Sequence, residues 1–161
     1  MDENKILFVD LDGTLIKEDL SNLAFSHSLK NYPFKTLFYI LVFLFKGKPY
    51  LKYKISRNFD IPFENLTYNK AAFDFIREVK NRHRVVYLIS GSHQILVDQM
   101  GNYLNIFFES FGTRDNFNLV GSNKVQFIKE NLKIHDFDYL GNSQDRKSTR
   151  LNSSHQIISY A

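Results

Sequence analysis

Asp10 and Asp12 stand one residue apart at the end of the apolar run Ile6-Leu7-Phe8-Val9, and a Gly13-Thr14 turn follows them. On an extended backbone the i, i+2 spacing puts both carboxylates on the same side, so that they converge on one point. Two anions so close repel unless a cation lies between them or one stays protonated. The pair therefore points to a hard divalent metal held by oxygen ligands, or to a partnership of acid and nucleophile. Asp-Gly is also a common turn dipeptide, so a purely structural strand-end turn is the competing reading.

Three more signals follow in chain order. Ser90-Gly91 closes the run Val85-Val86-Tyr87-Leu88-Ile89, Lys124 follows the helix-opening Gly121-Ser122-Asn123, and Asn142 sits in Gly141-Asn142-Ser143 just after Phe137-Asp138-Tyr139-Leu140. Taken singly, a strand-end Ser is usually a turn residue and a helical Lys is usually solvated. Their order after the carboxylate pair is what gives them weight.

These residues need a scaffold. A short apolar run bounded by a turn signal is a buried strand of a parallel sheet, and such sheets place their chemistry beyond the carboxyl ends of their strands. Periodicity predicts a helix over 71–79, a strand over 85–89, a helix over 93–104, a short strand over 106–108, a helix over 121–132 and a strand over 137–140. Strands alternating with helices imply a parallel α/β sheet.

The stretch between Ile16 and Ala71 breaks this rhythm. From Leu20 to Phe59 there is no acidic residue, whereas Lys30, Lys35, Lys46, Lys48, Lys52, Lys54 and Arg57 are basic. Within it Leu37 to Phe45 is wholly apolar, yet shorter than the roughly 20 residues a bilayer span requires. A run apolar on all sides favours the buried core of a small helical cap over a helix lying on anionic headgroups through residues 35–54. Gly47-Lys48-Pro49 is expected to end that helix and Ile61-Pro62 to make a second break.

A length of 161 residues suits one domain with a small insertion, and the absence of Cys excludes disulfides and thiolate metal sites. The N-terminus runs straight into the first strand with no visible signal peptide, which points to the cytoplasm, with the inner face of the membrane kept open by residues 35–54. The segment 145–161 (DRKSTRLNSSHQIISYA) is polar, lacks periodicity and resembles the translation of a sequencing-library adapter. Without it the net charge of +4 becomes +2, and no nucleic-acid partner is expected.

Asp10-Leu11-Asp12-Gly13-Thr14, Ser90, Lys124 and Gly141-Asn142-Ser143 together resemble the four motifs of the haloacid dehalogenase-like (HAD) hydrolases. The resemblance implies a Rossmannoid core over 1–19 and 70–144, incomplete at its C-terminus, with a helical cap at 20–69 and a non-native tail at 145–161. It implies Asp10 as the nucleophile that forms an aspartyl-phosphate and Asp12 as general acid and base. Ser90, the Gly91 amide and Lys124 would hold the phosphate oxygens, and Mg²⁺ would be bound by Asp10, Asp12 through its carbonyl, and Asn142. The presence of Asp12 favours a phosphatase or phosphotransferase over a dehalogenase. The implied substrate is a small or lipid-linked phosphate ester.

A narrower resemblance, carried also by Lys46-Gly47-Lys48, Leu66-Thr67-Tyr68-Asn69 and Gly112-Thr113, is to the HAD domain fused ahead of UbiA-like prenyltransferases. It leaves a non-catalytic regulatory or docking domain of a membrane prenyltransferase as the alternative function. Asn142 in place of the usual acid is ordinary in that group, where an acid is then expected at the position of Arg146. Phe111 and Val120 replace polar family positions. A further strand and helix, and a membrane-embedded transferase, are expected to follow in the natural protein, so the 161-residue chain is expected to be poorly active.

Overall fold

The computed structural model describes residues 5–114 and 117–142, and the backbone of 157–158. Strands β1 (Ile6–Asp10), β2 (Val86–His93), β3 (Ser110–Thr113), β4 (Phe137–Leu140) and β5 (Ile157–Ile158) form one sheet in the order β3-β2-β1-β4-β5. Every pairing is parallel. The first strand is central, and its register sets Asp10 beside Ile89 and Val9 beside Leu140. The carboxyl ends of β1, β2 and β4 therefore lie side by side, as the α/β reading requires.

Alternation along β1 divides the core. Leu7 and Val9 pack with Val86, Leu88 and Leu140 on one face of the sheet, and Phe8 packs with Ile89, Phe137 and Tyr139 on the other. Helices α3 (Lys70–Asn81) and α4 (Gln94–Leu104) cover the first face, and α5 (Ser122–Glu130) covers the second. In α3 the buried residues Ala72, Ile76 and Val79 recur at helical spacing. Its N-cap, Asn69, accepts the Ala72 amide and donates its own side-chain amide to the Thr14 carbonyl, so the chain returning to the core is tied to the turn after β1. Asp138 of β4 is buried against Arg84 at the opposite end of the strands from Asp10.

Helices α1 (Leu20–Asn31) and α2 (Pro33–Ser56) and a 3-10 turn at Phe63–Asn65 occupy the insertion. The two helices form a hairpin held by a buried Ser28–Thr36 hydroxyl hydrogen bond of 2.7 Å. They reach the end of β2 through Ser21–Ser92 and Lys52–Gly91 contacts.

The structure corrects two expectations and meets one. The third strand is Ser110–Thr113, not 106–108: the Phe108 amide and the Glu109 carbonyl do bond to β2, but the regular ladder starts only at Ser110. Gly47-Lys48-Pro49 ends the first helical segment of α2 as expected: Gly47 at φ 78°, ψ 176° is not helical, and a second segment starts at a kink directly after it with Pro49 at an early position. The apolar run 37–45 is not the core of a cap, since Leu37, Phe38, Leu41, Leu44 and Phe45 are all exposed. At the sheet edge beside β4, where a strand was expected to be missing, Ile157–Ile158 pairs with Tyr139 and Leu140.

Candidate active site

Asp10 is the last residue of β1 and is buried. Lys124, brought from the first turn of α5, donates to Asp10 Oδ1 at 2.6 Å and to the Tyr139 hydroxyl at 3.1 Å. Both charged side chains are only 5% exposed. The Thr14 hydroxyl lies 3.4 Å from Asp10 Oδ2. A lysine directed inward from an otherwise amphipathic helix is costly to bury alone, and the carboxylate beside it is what makes the position tolerable.

Asp12 follows in the turn. Its Oδ1 accepts the Leu20 amide at 2.8 Å, and its Oδ2 accepts the Ser90 hydroxyl at 2.5 Å and the Ser92 hydroxyl at 3.0 Å. Burial pushes the Asp12 carboxyl above its ordinary value, and nearby Asp19 pushes the same way, while the bonds from Ser90, Leu20 and Ser92 pull it down. A carboxyl so placed holds its proton to higher pH than a solvated one, as a proton donor requires.

Gly13 allows this turn for two reasons. Its φ of 73° is in the left-handed region, and a Cβ there would lie 2.7 Å from Asn142 Nδ2. The Asn142 amide also approaches the Asp12 carbonyl at 3.3 Å. The first and fourth sequence signals thus meet across a glycine.

Asp10, Asp12, Gly91, Lys124 and Asn142 line one cavity of about 340 Å³. Ser90 does not, because it is fully buried with its hydroxyl on Asp12 and also accepts the Ser92 amide. The structure adds five cap-side or strand-end residues that sequence reasoning had not singled out: Asp19, Ser21, Asn22, Lys52 and Ser92. The Lys52 ammonium donates to the Gly91 carbonyl and to Asn118 Oδ1, and burial lowers its pKa against the opposing pull of Asp19 and Asp12. Lys52 was visible only as one of seven cations in an acid-free run, and nothing in that run marks which of them turns inward.

The donor set is compatible with a hard divalent cation. The Asp10 carboxylate and the Asp12 carbonyl are oxygen donors at one cavity, and Asn142 lines it with its Nδ2 donating to the Asp12 carbonyl, so its Oδ1 would join the set only with the amide turned over. Mg²⁺ is ordinarily held by one or two carboxylates with water and substrate oxygens filling the remainder. Among the described residues no group of three or more His, Cys, Asp or Glu could hold a metal. The acid expected at the position of Arg146, and Asp145 beside it, lie outside the described residues.

No family model matches the chain. It is 32% identical over 141 residues to the uncharacterised protein y4nM of Sinorhizobium fredii (strain NBRC 101917 / NGR234), a match covering 85% of this chain and 26% of that protein. The chain thus spans about a quarter of the length of this relative. Among solved structures it is similar to a predicted phosphoglycolate phosphatase of Haemophilus somnus 129PT, with a TM-score of 0.63 at 13% identity over 99% of this chain and 86% of that one. It is also similar to a phospho-aspartyl intermediate analogue of phosphoserine phosphatase, with a TM-score of 0.51 at 18% identity over 90% of this chain and 81% of that one. At these identities the likeness is one of fold. The chain has the HAD-like Rossmannoid α/β architecture, a fold it shares with these two phosphatases and with a HAD-superfamily hydrolase of Ehrlichia chaffeensis.

Proposed function

We propose that the chain is a phosphohydrolase that works through an aspartyl-phosphate on Asp10. The observation that carries this reading is the division of labour between two carboxylates at one cavity: Asp10 paired with the Lys124 ammonium, and Asp12 enclosed and held towards its protonated form. Environments that separate two titratable groups in this way assign the acid and the nucleophile.

An Asp10 carboxylate oxygen attacks phosphorus, the bond from phosphorus to the ester oxygen breaks, and Asp12 delivers its proton to the departing alkoxide. Asp12, now ionised, takes a proton from water as that water attacks the aspartyl-phosphate, releasing inorganic phosphate and restoring Asp10. Proton transfer by a positioned group is typically worth about 10²- to 10⁴-fold. Lys124 and the Gly91 amide would meet the phosphate oxygens and Lys52 would add a second cation from the cap side, a reading supported by all three residues lining the cavity. Ser90 is assigned to positioning Asp12, because its hydroxyl is already committed there. Mg²⁺, held by Asp10, the Asp12 carbonyl and Asn142, would supply the positive charge that offsets repulsion between carboxylate and phosphate. A cavity of about 340 Å³ suits a small phosphate ester, or the phosphorylated head of a lipid-linked one.

The test is turnover of a panel of phosphate esters with Mg²⁺, together with acid-quenched mass spectrometry to locate a phosphoryl group on Asp10. Loss of both signals in Asp10→Asn is expected. Wild-type turnover by that variant would remove the covalent mechanism.

A further inference from the structure

We propose that the first half of α2, residues 34–45, is a docking helix that lies in the interface of an anionic lipid membrane. Six large apolar side chains carry the proposal. Phe34 and Phe45 are 88% and 91% exposed, and Leu37, Phe38, Leu41 and Leu44 lie between 55% and 72%. Their spacing of three and four residues puts them on one face of the helix, over roughly 16 Å at 1.5 Å per residue. Leu29 and Tyr32, also exposed, extend the patch around the corner from α1. A contiguous apolar patch of this kind marks a surface that something covers.

The surrounding charge indicates what covers it. Residues 20–59 hold seven Lys and Arg and no Asp or Glu. Lys35 and Lys46 are exposed at the two ends of the stripe. The Lys35 ammonium lies 5.5 Å from the Tyr32 ring and the Lys46 ammonium 5.1 Å from the Tyr50 ring, so each cation is paired with an aromatic of the kind that settles at a headgroup layer. A protein groove for an apolar stripe has no need of an acid-free surround. An anionic headgroup layer is complementary to it: the apolar face enters the acyl boundary while the lysines stay level with the phosphates.

The contact lies along the surface instead of crossing it, since no helix among the described residues is long and apolar enough to span a membrane. Beyond the Gly47 kink the same helix carries Lys52 to the cavity. Docking therefore brings the cavity alongside the lipid headgroups. The proposal does not depend on catalysis.

Co-sedimentation of the 161-residue protein with phosphatidylcholine vesicles, with and without phosphatidylglycerol, tests it. Binding to the anionic vesicles, weakened by salt, is expected. Phe38→Ser/Leu41→Ser/Phe45→Ser should weaken it by roughly tenfold or more with an unchanged far-UV spectrum, and Lys35→Glu/Lys46→Glu should weaken it several-fold on the anionic vesicles. Because the chain contains no Trp, Phe38→Trp provides a single reporter whose emission should shift to the blue as it enters the acyl boundary. Absence of binding to anionic vesicles overturns the proposal, as does binding that the triple serine variant leaves intact. A dimer that the triple variant disperses, without vesicle binding by the wild type, would assign the surface to a second copy instead.

Discussion

Replacing Lys124 with Met removes one partner of a pair whose side chains are each only 5% exposed, leaving the Asp10 carboxylate in the same enclosure without its ammonium. Breaking a buried pair from one side costs about 3–5 kcal/mol, because the remaining charge keeps its desolvation penalty. For a chain of this length each kcal/mol shifts Tm by roughly 2–4 °C, so Lys124→Met should melt about 6–20 °C below wild type in metal-free buffer. Asp10→Asn should cost less, about 1.5–3 kcal/mol, because the amide oxygen still accepts from Lys124 and the Tyr139 hydroxyl stays within reach of the ammonium. The double variant Asp10→Asn/Lys124→Met should fall short of the summed single losses by at least about 1 kcal/mol, since neither charge then remains. If the cavity holds Mg²⁺ at Asp10, adding it should raise the Tm of Lys124→Met by more than that of wild type, the metal standing in for the lost ammonium. Thermal melts of the four proteins with and without Mg²⁺ decide the matter. Additive losses, or a Lys124→Met protein melting within about 1 °C of wild type, would refute the reasoning.

Three further outcomes follow from the same geometry. Asp12 is raised in the folded state, so folding favours its protonated form: that stability is fully present below the unfolded carboxyl range and is lost as pH rises through the folded value. Asp12→Asn should therefore raise Tm in metal-free buffer near neutral pH, with the gain shrinking towards pH ~4; a Tm difference constant across that range would contradict the burial effect. Gly13→Ala meets both a positive φ and the Asn142 amide, and should destabilise by more than about 1 kcal/mol while weakening any Mg²⁺-induced rise in Tm, as read by a metal titration of the melt. Lys52→Ala should raise KM about tenfold or more with a smaller change in kcat if Lys52 binds substrate in ground and transition states alike, whereas an equal fall in kcat and kcat/KM would place its contribution in the transition state alone.

Much of the sheet was legible because its strands report burial directly. Phe137–Leu140 has the limits expected of it, and β1 and β2 lie where unbroken apolar runs precede the site residues. The third strand was misplaced because Ile106-Phe107-Phe108 and Ser110–Thr113 compete for the same edge of β2, and hydropathy selects the more apolar triplet. The ladder instead follows Gly112, where a Cβ would lie 2.8 Å from the Gln94 backbone, so that only a glycine lets β3 approach the start of α4. At the cavity, spacing identified Asp10 and Asp12, and Gly91, Lys124 and Asn142 line the same space. Spacing could not show that Ser90 and Ser92 both bond Asp12, nor that of the two it is Ser92 that also lines the cavity. Between Ile89 and His93 the register of β2 against β3 is irregular, and such a local departure leaves no trace in composition.

The misreading of α2 has a different cause. Its run from Leu37 to Phe45 is apolar around the whole helix, and such a run states how much surface needs covering without stating what supplies the cover. Here α1 provides one neighbour, and the Ser28–Thr36 contact fixes the hairpin at its tight end, where the helices are closest. The 12-residue α1 runs alongside this first half of α2 but covers one side of it, so the stripe of exposed residues between Phe34 and Phe45 is left facing away from its hairpin partner. If solubility alone shaped the helix, that outer face would carry the lysines. They stand instead at the ends and flanks of the stripe, an arrangement that is unfavourable for a helix meeting water and favourable for one meeting a charged surface with an apolar layer beneath it.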